Sequence, residues 1–138
     1  MTAVLAACAG DPSPAATPDA GAAATWESVQ TIFTASCNFS TCHGGVAGSL
    51  TLTGPAADVR AALLAPSFEV ARLPRVTPGD PASSYLMVKL EGRMADVAEC
   101  RAAPTVCGVS MPQGEPLLTA EQRATVRAWI TAGAPGPR

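Results

Sequence analysis

The sequence predicts a small domain that is mostly α-helical. Two observations predict this class: apolar residues recur at helical spacing near both ends of the folded region, and each such segment begins at a threonine placed to cap a helix, Thr25 or Thr119. Each segment also carries a tryptophan, Trp26 or Trp129, on its apolar stripe. We therefore expect the two terminal helices, each with a buried tryptophan, to pack across one another.

The first helix is expected to start after Thr25 and to run into Cys37. Glu27 lies in its first turn, where a carboxylate complements the positive end of the helix dipole. The apolar positions share one face of the helix, and they are Trp26, Val29, Ile32 and Phe33. This face is predicted to be buried.

The last helix is marked even more clearly. Thr119 and Gln122 form the sequence pattern of a capping box, and Leu118 is placed to pack back onto the helix. Gly133, with a proline two residues on, ends it. The predicted apolar stripe consists of Val126, Trp129 and Ile130.

Two shorter helices are expected between the terminal ones. Pro55 at a first-turn position opens a helix over about 55–64. Asp80, an acidic cap followed by proline, opens another over about 81–91. The stretch 93–110 has no helical periodicity that we recognise and is expected to be irregular.

Composition limits the size and the function of the chain. Its 138 residues suffice for one domain, and 48% of them are hydrophobic but only 4% aromatic, so much of the apolar content is alanine, which buries little area per residue. The net charge is −2 and the basic residues are scattered. Such a chain has no basic patch for nucleic acid, so we exclude nucleic-acid binding.

The first two dozen residues are not expected to join the core. Residues 1–8 are interpreted as a truncated signal, because Leu5 to Cys8 resembles a bacterial lipobox whose cysteine receives lipid, although no Lys or Arg precedes it. Residues 9–24 contain no large apolar residue and are typical of a flexible tether, which leaves 25–135 as the folded domain. The alternative is a chance cysteine in a disordered N-terminus.

The most informative stretch reads Cys-Asn-Phe-Ser-Thr-Cys-His, from Cys37 to His43. It combines two thiols, Cys37 and Cys42, with the single histidine of the sequence. Covalent attachment of a c-type haem needs two such thiols and an imidazole beside the second one. Positions five apart on a helix point about 140° apart, so residues 38–41 must form a loop. A bound haem would also supply apolar volume that the aromatic residues do not.

Two interpretations without haem stay open for these cysteines. Cys37 and Cys42 can form a local disulfide, or they can bind zinc together with Cys100 and Cys107. We expect Cys100 and Cys107 to bridge to each other, since they lie seven positions apart in a loop of an exported chain. That bridge would stabilise the fold by roughly 2 to 3 kcal/mol.

A histidine-bound haem iron has a second axial position, and methionine is the expected ligand because His43 is the single imidazole. Met87 and Met94 lie on or beside the third predicted helix, where packing accounts for them. Met111 is followed by Pro112-Gln113-Gly114. This irregular segment, which we call the strap, can present a thioether on a stiff backbone. The alternative for Met111 is an ordinary core methionine.

Several stretches carry a common pattern. They are Cys42-His43-Gly44, then Arg75-Val76-Thr77-Pro78-Gly79-Asp80-Pro81 with Ser84-Tyr85-Leu86, then Met111-Pro112-Gln113-Gly114, and finally Trp129-Ile130-Thr131-Ala132-Gly133-Ala134. Together they resemble bacterial cytochrome c domains of the planctomycete-type group, over about Trp26 to Pro135. The four residues between Cys37 and Cys42 depart from the two that are usual in that group.

The resemblance implies a small class I cytochrome c-like fold with crossed terminal helices around a covalent haem c. It assigns Cys37 and Cys42 as attachment points, His43 as the proximal ligand and Met111 as the distal ligand. The expected function is transfer of single electrons between redox protein partners. The protein would be exported to the periplasmic face and anchored to the cytoplasmic or outer membrane through lipid on Cys8.

We expect an electron carrier rather than an enzyme, because no distal histidine or spare acid-base group lies beside the motifs. One alternative is a five-coordinate haem domain that binds ligands or peroxide after Met111 is released. The other is a haem-free extracytoplasmic interaction domain, stapled by disulfides or zinc.

Overall fold

The structure, a computed structural model, describes residues 24–45 and 49–138. Within these ranges the chain is mostly α-helical, and it has no β-strand beyond an isolated antiparallel bridge between Pro66 and Pro74. The predicted mostly α class is confirmed. The helices are α1 (Trp26–Ser36), α2 (Ala56–Leu64), α3 (Tyr85–Leu90), α4 (Ala98–Ala102), α5 (Pro104–Cys107) and α6 (Ala120–Thr131).

The predicted leader, residues 1–8 with lipid on Cys8, lies outside the described residues, as does the predicted tether up to residue 23. In the part of the chain that is described, no helix is both long enough and apolar enough to cross a membrane. The structure therefore concerns the predicted domain that starts at Thr25.

Both terminal helices begin at capped threonines, as predicted. Thr119 Oγ1 accepts the N–H of Gln122 over 3.2 Å, and the Gln122 side chain accepts the N–H of Thr119 over 2.9 Å. Thr25 has an equivalent partner in Ser28, which was not predicted because serine is outside the usual capping-box pattern. Each cap satisfies N–H groups that the helix leaves free, a contribution of about 1 kcal/mol.

The terminal helices pack against each other, as expected, and in the structure Trp26 and Trp129 meet at this contact. Both indoles are fully buried, with ring centroids 5.8 Å apart and ring planes inclined at 54°. Such a tilted aromatic pair contributes about 0.5 to 1.5 kcal/mol beyond the burial of its area. The surrounding core includes Val29, Ile32, Phe33, Leu52, Val59, Leu63, Val76, Met87, Leu90, Leu118, Val126 and Ile130.

The third predicted helix is shorter than expected, because α3 begins at Tyr85 rather than near residue 81. Asp80 does not cap it. The Asp80 carboxylate accepts the backbone N–H groups two and three residues on, at 3.0 and 3.1 Å, and so closes a turn. Ser84 is then extended, and its buried hydroxyl donates to the Asp80 carbonyl over 2.8 Å. The Asp-Pro pair is a turn signal here.

The expectation that 93–110 is irregular was wrong. This stretch holds α4 and α5 after a 3₁₀ turn at Met94–Asp96. Helices of four or five residues are too short to show a periodic apolar pattern, so periodicity could not predict them. Cys100 on α4 and Cys107 on α5 are joined by the predicted disulfide, with an S–S distance of 2.02 Å. A second core cluster surrounds it, containing Val70, Tyr85, Val88 and Val97.

An extended segment between α2 and α3 ties these two helices together. The N–H of Arg75 donates to the carbonyl of Ala65 over 3.1 Å, and the Arg75 carbonyl accepts the N–H of Leu86 over 2.8 Å. Val76 donates to the carbonyl of Leu63 over 2.9 Å. These bonds hold Arg75 at the wall of the cleft that is described next.

Candidate functional site

A cleft of about 740 Å³, counted out to its open mouth, lies among the loop after α1, the end of α2, α3 and the strap before α6. Cys37, His43 and Met111 all line this cleft, although they come from separate parts of the sequence. Its mostly apolar wall also includes Phe33, Leu50, Leu52, Leu63, Phe68, Leu86 and Leu90.

His43 is held by one of its ring nitrogens. Nδ1 lies 2.8 Å from the carbonyl oxygen of Leu50. Because a carbonyl only accepts hydrogen bonds, Nδ1 is the donor, and in the neutral imidazole Nε2 then keeps its lone pair. Within the described residues Nε2 has no hydrogen-bond partner. Metal-binding histidines commonly donate their second N–H in this way, which fixes both the tautomer and the ring orientation.

Backbone hydrogen bonds fix the loop that carries His43. The His43 N–H donates to the carbonyl of Cys37 over 3.1 Å, and the His43 carbonyl accepts the N–H of Leu52 over 2.8 Å. The N–H groups of Cys42 and Gly44 both donate to Phe39, at 2.9 and 3.0 Å. The four residues between the two thiols therefore form a compact turn, in agreement with the predicted loop.

The two glycines after His43 are required by this turn. A Cβ on Gly44 would lie 2.3 Å from the carbonyl oxygen of Asn38, and one on Gly45 would lie 2.4 Å from that of Ser40. Both neighbours are backbone atoms, which cannot swing aside. The Gly-Gly pair thus allows the chain to pass directly over the loop.

Cys37 is the C-terminal cap residue of α1, and it lines the cleft as a free thiol with 8% of its surface exposed. Burial raises the pKa of this thiol to about 12, so it is protonated at neutral pH. The alternative of a local Cys37–Cys42 disulfide is therefore wrong for this structure.

Cys42 differs from Cys37 in its surroundings. It is buried, it is not a free thiol, and it is not part of the wall of this cleft. Of the predicted haem-binding residues, the structure thus brings Cys37, His43 and Met111 to one cleft and leaves Cys42 in the adjoining turn.

Met111 is the methionine that reaches the cleft. It is half-buried, and its backbone N–H donates to the carbonyl of Lys89 over 3.0 Å. Met87 is buried in the main core and Met94 packs against the second core cluster, and neither lines the cleft. The distinction drawn from the sequence between Met111 and the two helix-associated methionines agrees with this placement.

One side of the cleft is polar, which the sequence did not predict. Glu69 Oε2 accepts the hydroxyl of Tyr85 over 2.7 Å and lies 3.4 Å from Nζ of Lys89. The same ammonium donates to the carbonyl of Cys107. Arg75 lines the cleft beside these groups. We call Glu69, Arg75, Tyr85 and Lys89 the polar wall.

A partial signal for the polar wall exists in the sequence. Tyr85 and Lys89 are four residues apart and share one face of α3. A lysine at such a position is ordinarily assigned to the solvent side, however, and Glu69 lies in a loop without periodicity. Burial raises the pKa of the Tyr85 phenol, and the hydrogen bond to Glu69 raises it further.

The zinc alternative does not hold in this structure. It required four thiolates, but Cys100 and Cys107 are bonded to each other. Among the described residues, no group of three or more His, Cys, Asp or Glu side chains is placed to hold a metal ion.

Comparison with known protein families, with curated proteins and with solved structures finds no match for this chain. The functional evidence is therefore the set of chemical groups that line the cleft. These are an imidazole with a lone pair available, a thioether and a protonated thiol, set among apolar side chains with one charged side.

Proposed function

We propose that this protein is a monohaem c-type cytochrome that carries single electrons, with His43 and Met111 as the axial ligands of the haem iron. One observation carries the proposal: His43 and Met111, far apart in the sequence, line the same mostly apolar cleft. The haem, when bound, supplies one-electron chemistry at iron.

The residues present fit such a group. Haem needs a nitrogen ligand whose orientation is fixed, and the Leu50 carbonyl holds His43 with Nε2 available. It also needs apolar walls, which exclude water, and most of the cleft is apolar. The Met111 thioether is a soft ligand that favours the ferrous state and so raises the reduction potential. Axial ligands together span about 0.8 V.

Covalent attachment is proposed through Cys37 and Cys42. Cys37 has a free thiol in the wall of the cleft, close in the backbone to His43. Cys42 directly precedes His43 and must be a reduced thiol before it can form a thioether. The proposal thus requires both sulfurs to be reduced when haem is attached.

The cytochrome c-like fold is part of the proposal. Its support is the pairing of α1 and α6 through Trp26 and Trp129, at the position where the resemblance places crossed terminal helices. Export to the periplasmic face, lipid on Cys8 and redox protein partners are proposed with it. The Cys100–Cys107 disulfide supports export, because structural disulfides persist in oxidising compartments.

The test is covalent haem in protein exported from a host that has haem-attachment machinery. We expect the intact mass to exceed that of the chain by one haem, and the colour to survive acid-acetone extraction. A bare chain, or haem that is extracted completely, would refute the proposal of a c-type cytochrome. The control is His43→Ala, which should keep the added mass but lose the low-spin spectrum.

A further inference from the structure

The polar wall contains a charged pair that ligation of iron does not require. Nζ of Lys89 lies 3.4 Å from Oε2 of Glu69, and their side chains are 8% and 30% exposed. Removing an ammonium from water costs several kcal/mol unless its protons find partners. Lys89 finds them in Glu69, in the Cys107 carbonyl and over the ring of Tyr85, 5.9 Å from its centroid.

Both charged residues line the cleft, and a third, Arg75, lines it with them. The Arg75 guanidinium donates to the carbonyls of Ala62 and Ser49. Tyr85 is neutral and binds Glu69. In a poorly solvated cleft, charges act over longer distances and with less screening than on the surface.

We propose that the charges of Lys89 and Glu69 shift the reduction potential of the haem proposed for this cleft, and that they shift it in opposite directions. The inference depends on the proposed electron-carrying function. Oxidation of the haem iron would add one positive charge inside the cleft. The Lys89 ammonium opposes that added charge and raises the potential, whereas the Glu69 carboxylate favours it and lowers the potential.

A purely structural role makes a different prediction for the same two residues. Lys89 also holds the strap, because its side chain binds the Cys107 carbonyl and its backbone carbonyl accepts the N–H of Met111. If Glu69 and Lys89 served only to position Met111, loss of either would loosen that ligand. The potential would then fall in both variants, since the ferrous state would lose its soft ligand.

The experiment measures the reduction potential and the near-infrared sulfur-to-iron band in the holoprotein and its variants. We expect Glu69→Gln to raise the potential and Lys89→Met to lower it, each changing the ferric-ferrous equilibrium at least threefold, or about 28 mV at about 59 mV per tenfold change. The double variant should return close to wild type. The band should persist in all three.

Two variants serve as matched controls. Lys89→Arg keeps the charge and should change the ferric-ferrous equilibrium by less than threefold. Tyr85→Phe removes a hydroxyl without a charge and should do the same. If Lys89→Met does not fold, Glu69→Gln still decides the sign by itself.

Shifts in the same direction, or no shift in Glu69→Gln, would overturn the electrostatic proposal while leaving the cytochrome intact. A wild-type protein without covalent haem would be the separate failure of the proposed function, and the electrostatic proposal would fall with it. The two failures are therefore distinguishable, because the wild type is measured first.

Discussion

The backbone N–H of Met111 donates to the carbonyl oxygen of Lys89 over 3.0 Å, which ties the strap before α6 to the last turn of α3. The last carbonyls of a helix have no partner within the helix, and the Lys89 carbonyl accepts this bond in addition to a longer one, of 3.4 Å, from the N–H of Gly92. The same hydrogen bond fixes the position of the Met111 backbone relative to α3. The thioether is thereby presented to the cleft from a fixed point.

Met111→Ala should abolish the near-infrared sulfur-to-iron band of the oxidised holoprotein and lower its reduction potential, because the ferrous iron loses a soft ligand. Met87→Leu and Met94→Leu are the controls, since both methionines pack in core clusters and should leave the band unchanged. Loss of the band in either control with retention in Met111→Ala would reassign the ligand. A wild type that is high-spin and lacks the band would favour ligand binding at a five-coordinate iron.

Gly44→Ala should destabilise the loop that carries His43, because the new methyl would meet the Asn38 carbonyl at 2.3 Å. Overpacking of this kind costs about 1 to 3 kcal/mol. The measurement is urea unfolding of the haem-free protein. Gly136→Ala is the control, because the nearest atom there is Cδ of the Arg60 side chain at 3.3 Å rather than a backbone atom at 2.3 Å. Equal effects of the two substitutions would contradict the role given to Gly44.

The Cys37 thiol should make the haem-free protein less stable at alkaline pH. Its pKa rises from the ordinary 9.0 to about 12 on folding, so the stability gained by keeping it neutral is complete below pH 9 and is lost as the pH rises towards 12. The loss has a limiting slope of about 1.4 kcal/mol per pH unit.

The measurement for Cys37 is the free energy of unfolding between pH 8 and 10.5, in wild type and in Cys37→Ala. Tyr85 also titrates at alkaline pH but is present in both proteins, so the comparison isolates Cys37. Parallel curves would show that the thiol is not buried as the structure has it.

The Cys100–Cys107 disulfide should protect both sulfurs from alkylation in the unreduced protein. Replacing both cysteines by serine should lower the free energy of unfolding by roughly 2 to 3 kcal/mol, since the bridge restricts the unfolded chain. Mass spectrometry after alkylation, with and without prior reduction, checks the bond. Denaturant unfolding checks its contribution. Labelling of both thiols without reduction would exclude the bridge.

Local sequence patterns were enough to predict the helices that have both a capping residue and an apolar stripe. Thr25 and Thr119 each mark a helix start, and the apolar stripes that follow have the period of a helix facing a core. The packing of the two terminal helices across one another followed from those stripes, whereas the contact between Trp26 and Trp129 was decided by the tertiary structure. The same reasoning failed where a signal had two meanings, as at Asp80, whose carboxylate closes a turn rather than capping α3.

The chemistry of the candidate ligands was likewise decided by the sequence, because it contains one histidine, His43, with Cys42 directly before it and Cys37 six residues before it. The tertiary structure decided which groups meet. It placed Cys37 rather than Cys42 in the cleft wall with Met111, and it buried Lys89 against Glu69. These contacts could not be predicted from sequence periodicity, because they depend on how α3 and two loops pack against each other.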